Sequence, residues 1–387
     1  MTSTIPLGEL VTIRGGGTPS RTVPEYWNGN IRWATVKDFK STELAETQES
    51  ITPAGIRDSA TNIIPAGSVI IPTRMAVGKA AISTIDMAIN QDMKALLPTG
   101  EIDTRFLLHF MLSHGDYLES QAQGATVKGI KLDLLRSLPF PRLARAEQRR
   151  IAAILDKADA IRRKREQSLS LADDFLRSVF LEMFGDPSTN SKGWPVGSIR
   201  DLIVDAKYGT SQKADVEVGS YPVLRMGNLT YLGRVDTTDL KYLDLKDNEI
   251  EKYTVRRGDI LFNRTNSREL VGKTAVVMAD EVYAYAGYLV RSRTNSRANP
   301  HYISAFLNST FGKATLQGMC KSIIGLANIN AQEFQNIRIP VPPFCLQNRF
   351  GAVLERTEAT RQLLQADLRN AADLFAALSQ RAFRGEL

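Results

Sequence analysis

The chain has 387 residues, 43% hydrophobic and 24% charged, which is a globular composition too long for one ordinary core and suited to two domains. Two cysteines, Cys320 and Cys345, exclude a disulfide framework, and three unclustered histidines, His109, His114 and His301, argue against a zinc site. The formal net charge of +7 is concentrated in residues 188–343, with 20 basic against 15 acidic side chains, while residues 1–143 are neutral; this permits nucleic-acid binding without establishing it.

No apolar run approaches the roughly 20 residues of a membrane span. Met1-Thr2-Ser3-Thr4 lacks the basic and apolar character of a signal peptide, so a cytoplasmic protein without a membrane partner is expected. In chain order the pattern divides into a mixed region (1–143), a long helix with its linker (144–187), a second mixed region (188–343) and a second long helix (344–387).

The first mixed region opens on Gly8-Glu9-Leu10 and a glycine loop, Gly15-Gly16-Gly17-Thr18-Pro19-Ser20. It continues through an apolar strand with a polar end, Gly67-Ser68-Val69-Ile70-Ile71-Pro72-Thr73-Arg74, into Val77-Gly78-Lys79. Short strands bounded by turn residues, with one helix near Thr104–Ser113, predict an α+β domain. Before the long helix, Gly124-Ala125-Thr126-Val127-Lys128-Gly129-Ile130-Lys131 reads as a turn or a phosphate-wrapping segment.

Leu138-Pro139-Phe140-Pro141 then sets the start of a helix, because proline lacks the N–H that a helix interior needs. Leu155, Arg162, Leu169, Leu176 and Met183 recur every seven residues, interleaved with Ile151, Ala158, Arg165, Ala172 and Val179. These are the seam positions of a coiled coil. Gly185-Asp186-Pro187-Ser188-Thr189-Asn190-Ser191-Lys192-Gly193 is dense in helix-stopping residues and reads as the linker.

The chain then repeats itself. Arg200-Asp201-Leu202 and Tyr208-Gly209-Thr210-Ser211-Gln212 echo the opening, and Gly258-Asp259-Ile260-Leu261-Phe262-Asn263-Arg264-Thr265 echoes the apolar strand. Val271-Gly272-Lys273 answers Val77-Gly78-Lys79, a helix is expected near Tyr302–Asn308, and Ser322 to Asn330 precedes the second proline pair. From Pro340 to Phe383 the repeat of Pro141 to Phe184 runs without a gap, so that Gln347 answers Gln148. Leu354, Arg361, Leu368, Phe375 and Ala382, with Phe350, Thr357, Leu364, Ala371 and Leu378, form the second seam. Two such helices are expected to pair antiparallel, bringing the polar layers at Arg162 and Arg361 together. Two copies of one unit point to a partner that is itself approximately two-fold.

No catalytic constellation is found. Gly272-Lys273-Thr274 resembles the end of a phosphate-cradling loop, but Ser267 stands where that loop needs glycine. Gly15-Gly16-Gly17 opens no helix, and Asp38, Asp92 and Asp259 read as turn and cap residues. The polar loops do suit DNA, since glycine turns expose N–H groups to phosphates while Arg and Asn pair with guanine and adenine edges. The candidate DNA-binding residues are Arg14, Thr18, Ser20, Arg21, Lys37, Arg74, Lys79, Lys128 and Lys131 in the first half. In the second they are Tyr208, Lys213, Arg225, Asn228, Arg264, Asn266, Arg268 and Lys273.

With these residues in view, the chain resembles the specificity subunit of a type I restriction–modification system over essentially its full length. Gly16 to Ser20 with Pro24-Glu25-Tyr26-Trp27, the Gly258–Arg264 strand, and the helix entry from Leu138 to Asp156 carry the likeness. The second entry, Leu346-Gln347-Asn348-Arg349-Phe350, is looser than Glu147-Gln148-Arg149-Arg150-Ile151. The resemblance implies two target-recognition domains, each followed by a long helix, the helices pairing as an antiparallel spacer; by helix geometry, Gln148 to Met183 would run roughly 50 Å, about one and a half turns of B-DNA. It implies a split, asymmetric target in double-stranded DNA, two modification subunits methylating adenine N6 with S-adenosylmethionine, and restriction subunits using ATP and Mg²⁺. This chain would hold no cofactor and catalyse neither reaction. A stand-alone DNA-binding regulator is the competing reading.

Overall fold

The computed structural model describes residues 3–124, 127–323 and 326–387; the expectations touching Met1-Thr2, Ala125-Thr126 and Ile324-Gly325 lie outside them. The described chain divides into two compact units, Met1–Glu166 with Ala366–Leu387, and Gln167–Gln365. Each unit therefore takes one half of each long helix.

In the first unit, Val11–Gly15, Met93–Pro98, Val69–Pro72, Ala81–Ser83 and Glu43–Leu44 form one sheet in that spatial order. A second sheet runs Glu49–Ile51, Trp27–Ala34, Met87–Ile89, Ile63–Ile64. Val69 to Pro72 is buried on both faces, which is why it reads as an unbroken apolar run. Helix α1 (Thr104–Ser113) starts at Asp103, whose carboxylate accepts the Arg105 and Phe106 N–H groups. Its Phe106 and Phe110 pack on Phe140 from the strand that precedes helix α2 (Arg145–Phe184).

The second unit repeats the architecture. Ile203–Tyr208, Leu289–Thr294, Ile260–Asn263 and Thr274–Val276 make one sheet, and Lys241–Leu243, Tyr221–Leu224, Tyr283–Tyr285 and Thr254–Val255 make the other. Helix α3 (Pro300–Asn308) is capped by Asn299, and helix α4 (Phe344–Arg384) closes the chain. Between α2 and this unit's first strand, Gly185, Asn190 and Gly193 all take positive φ. The Trp194 indole N–H donates to the Phe184 carbonyl at 2.9 Å and satisfies one of the helix-end acceptors.

The antiparallel pairing of α2 and α4 is visible inside each unit separately. In the first, Ile151 and Leu155 share a core with Phe375, Leu378 and Ala382, and Arg165 lies 3.8 Å from Asp367. In the second, the rings of Phe180 and Phe184 lie 5.7 and 5.4 Å from Phe350. The seam is uneven: Ile151, Leu155 and Ala158 are buried, while Leu169, Leu176 and Val179 are half-buried. Arg162 belongs to the first unit and is held by Asp159 and Glu166 of its own helix, both at 2.7 Å. Arg361 belongs to the second and is held by Glu358 at 3.1 Å. An intrahelical carboxylate one turn away satisfies each guanidinium.

A candidate nucleic-acid interface built twice

In each unit one short turn collects the ends of several strands. In the first it is Asn90–Asp92. The Asn90 N–H donates to the Ala34 carbonyl at 3.0 Å, the Thr73 N–H to Asp92 at 2.8 Å, and the Gly17 N–H to Ile89 at 3.0 Å. In the second it is Ala286–Tyr288. The Ala286 N–H donates to Leu224 at 2.9 Å, the Arg264 N–H to Tyr288 at 3.0 Å, and the Thr210 N–H to Tyr285 at 2.9 Å. The same hydrogen bonds thus bring the glycine loop, the apolar strand's polar end and the post-strand turn to one edge of each unit. The segment before the long helix joins them: Gly129 bridges Arg74, and Asn328 pairs with Thr265.

The glycines have a different reason from the one expected. A Cβ at Gly16 would fall onto the carbonyl oxygens of Ile89 and Asn90, and one at Gly209 onto those of Tyr285 and Ala286. The close approach is to the chain's own backbone, and the Gly17 and Thr210 N–H groups are spent there rather than offered to a phosphate.

At the first edge, Thr18 hydrogen-bonds Gln91, and the Ser20 hydroxyl lies 2.8 Å from that of Thr22. Arg74 stays exposed, its guanidinium 3.7 Å from Asp92. It borders a 390 Å³ hollow with Gln121, Gln123 and Lys131. Arg14, Lys37, Lys79 and Lys128 are exposed. Arg21 is committed elsewhere: it forks onto Glu49 and lies 3.8 Å over the Trp27 ring. That hydrogen-bonded carboxylate raises the Arg21 guanidinium and holds the Glu49 carboxyl below the usual range. Trp27 and Trp33 donate their indole N–H groups to Ser20 and Gly17, so the stack fastens the glycine loop.

At the second edge, the Arg264 guanidinium lies 4.8 Å over the Tyr208 ring and 3.4 Å from the Asn328 side-chain oxygen, with its Nε buried and without a partner among the described residues. The Tyr208 hydroxyl accepts the Ala331 N–H at 2.9 Å, so Tyr208 acts as a buttress for Arg264. Lys213 and Arg268 are exposed, and Asn266 is half-buried with its carbonyl oxygen on the Ser267 N–H. Lys273 is half-buried and its ammonium is pushed down by burial.

Two expected DNA contacts are engaged within the protein. Asn228 is 3% exposed; it accepts the Arg225 N–H and donates to the Asp236 and Asp239 carbonyls, leaving nothing for a base. Its counterpart in the first unit is Asp38, which accepts from Thr35 and Gln48. Arg225 itself is tied to the Asp239 carboxylate at 2.8 Å. The Gly272-Lys273-Thr274 run is no phosphate loop either, since the buried Thr274 hydroxyl donates to the Gly272 carbonyl.

Sequence reading missed the two hub residues, Asp92 as a partner for Arg74 and Tyr288 altogether. The available signal was an aromatic next to glycine in a turn between two apolar strands. Away from this edge, the second unit holds a 740 Å³ cavity lined by Phe180, Tyr231, Leu232, Phe350 and the half-buried Arg234, whose guanidinium joins Asp173 of α2 and Glu358 of α4. Among the described residues no cluster of three metal-ligating side chains occurs, and no helix is long and apolar enough to cross a membrane.

A family model described as "Type I restriction modification DNA specificity domain" matches residues 2–171 and again 191–372. The type I restriction enzyme MjaIX specificity subunit of Methanocaldococcus jannaschii is 22% identical over 372 residues, covering 90% of this chain and 84% of that one. The type I restriction enzyme EcoR124I/EcoR124II specificity subunit of Escherichia coli is 35% identical over 162 residues, 40% of each chain. Among solved structures, the type I restriction–modification S subunit from M. genitalium shares the fold with a TM-score of 0.60 at 14% identity, over 99% of this chain and 96% of that one.

Proposed function

This chain belongs to the type I restriction–modification DNA specificity family, and we propose that each of its two units reads one part of a split, asymmetric DNA site. It is the DNA-recognition subunit of a type I complex, non-catalytic in itself, and it directs adenine-N6 methylation and restriction by its partners. The partners we assign are two modification subunits and the restriction subunits, which would carry S-adenosylmethionine, ATP and Mg²⁺. Residues 1–143 and 188–343 serve as the recognition domains and the long helices as the spacer.

The observation that supports this most is the duplicated edge: the same backbone hydrogen bonds collect polar loops twice, with different side chains on each copy. A repeated scaffold with divergent loops suits two unlike half-sites read in one binding event. We assign Arg264, Asn266 and Arg268 to base edges in the second half, with Lys213 and Lys273 on phosphates. In the first we assign Arg74 to a base edge, with Arg14, Lys37, Lys79, Lys128 and Lys131 on phosphates.

The test is sequencing of N6-methyladenine in a host carrying this chain and its neighbouring methyltransferase subunit, with and without this gene. The expected result is a split motif that vanishes on deletion. An unchanged methylome, with tight sequence-specific binding by the isolated chain, would support the regulator instead.

A further inference from the structure

Three tyrosines stand exposed in the second unit, and two of them are in use. The Tyr208 ring supports Arg264 and its hydroxyl holds Ala331. The Tyr231 ring lies under Lys313 at 5.1 Å and its hydroxyl donates to the Glu269 carbonyl. Tyr288 is the most exposed of the three, at 54%, and among the described residues neither its ring nor its hydroxyl has a partner. The turn that carries it is nonetheless held on both sides of the tyrosine. The Tyr288 carbonyl accepts the Arg264 N–H at 3.0 Å, the Gly287 N–H donates to Thr210 at 2.8 Å, and the Leu289 N–H closes the turn onto Ala286 at 2.9 Å.

We propose that Tyr288 is a specificity-determining residue of the second unit, placing its ring against the 5-methyl group of a thymine in the major groove. The proposal rests on the DNA-recognition reading above. A ring fixed at its backbone gives contact area at low entropic cost. The thymine methyl is the apolar feature that the major groove presents, and the neighbouring Arg264 is suited to a guanine edge. The matching position in the first unit is Asp92, beside Arg74, whose carboxylate suits an amino group instead. One scaffold position therefore carries opposite chemistry in the two units.

The experiment compares wild type, Tyr288→Ala, Tyr288→Phe and Arg74→Ala by sequencing of N6-methyladenine in the host. The assembled complex is then titrated with duplexes carrying thymine or uracil at the position that Tyr288→Ala relaxes. The expected result is that Tyr288→Ala accepts other base pairs at one position of one half-site, Arg74→Ala relaxes the other half, and Tyr288→Phe keeps the motif. Wild-type complex should bind the uracil duplex on the order of fivefold more weakly, the value of one buried methyl, and the alanine variant should not discriminate. An intact motif in Tyr288→Ala, relaxation in the same half as Arg74→Ala, loss with Tyr288→Phe, or equal binding of thymine and uracil by wild type would each overturn the assignment. Absence of any split motif in the wild-type host would overturn the recognition reading beneath it.

Discussion

The side-chain amide of Gln148 accepts the backbone N–H of Asp103 at 2.9 Å, so the first residue of α2's buried face holds the N-cap of α1. Its nitrogen donates to the Glu101 and Leu143 carbonyls. Gln347 does the same in the second unit, accepting from the N-cap Asn299 at 2.9 Å and donating to Arg297 and Pro342. Both glutamines are buried, so losing either leaves backbone groups unpaired in a dry site. Gln148→Met and Gln347→Met should each destabilise by about 1–3 kcal/mol in urea unfolding. Because they sit in different units, the double variant should add to within about 0.5 kcal/mol.

Arg234 joins carboxylates from both long helices within the second unit. Burial works to raise the Glu358 carboxyl, but the hydrogen bond and charge of Arg234, with Arg361, outweigh it and hold it below the usual range. Arg234→Met leaves Asp173 without its cation and Glu358 with Arg361 alone in a sheltered site, and should cost about 3 kcal/mol. Adding Glu358→Gln should recover part of that loss, read from denaturation midpoints of the two variants.

Asp38 and Asn228 hold equivalent turns with opposite polarity. Asp38 accepts at both oxygens, from Thr35 and Gln48, whereas Asn228 must donate to two carbonyls. The near-isosteric exchanges Asp38→Asn and Asn228→Asp should therefore each destabilise by about 1–3 kcal/mol despite unchanged shape. Thermal unfolding compares them with the unexchanged protein.

His301 of α3 lies 3.3 Å from Glu355. Burial pushes its imidazole down, and Glu355 only partly opposes that. The unfolded chain then binds this proton more readily than the folded one. Stability associated with neutral His301 is present above the ordinary imidazole value of about 6.5 and declines as pH falls below it. The melting temperature should drop between about pH 7.5 and about pH 5.5, and His301→Gln should flatten part of that slope. His114, likewise lowered by burial, leaves a residual slope from the first unit.

Arg264 is oriented by the Tyr208 ring and Asn328, and its charge is not cancelled by a carboxylate ion pair among the described residues. Arg264→Ala should relax one position of one half-site, a loss of about 1–3 kcal/mol in discrimination. Arg264→Lys should relax the same position, because an ammonium lacks the two-pronged geometry. Equal weakening on unrelated DNA would reassign it to a phosphate.

The sequence by itself determined the two-fold repeat, the two long helices, the glycine loops and the family, because each is carried by the order of residues along the chain and needs no knowledge of what folds against it. Proline before Arg145 and Phe344 and apolar residues every three or four positions suffice for the helices, whatever they pack against. What each polar side chain is free to do was decided only by the tertiary structure. Asn228, Arg225 and Arg21 were candidate DNA contacts until folding brought Asp239 and Glu49 to them from 11 to 28 residues away. Tyr288 looked like nothing until the turn that carries it became the meeting point of three strands. A hydrogen bond or ion pair belongs to two groups at once, and periodicity along one segment carries no information about the other.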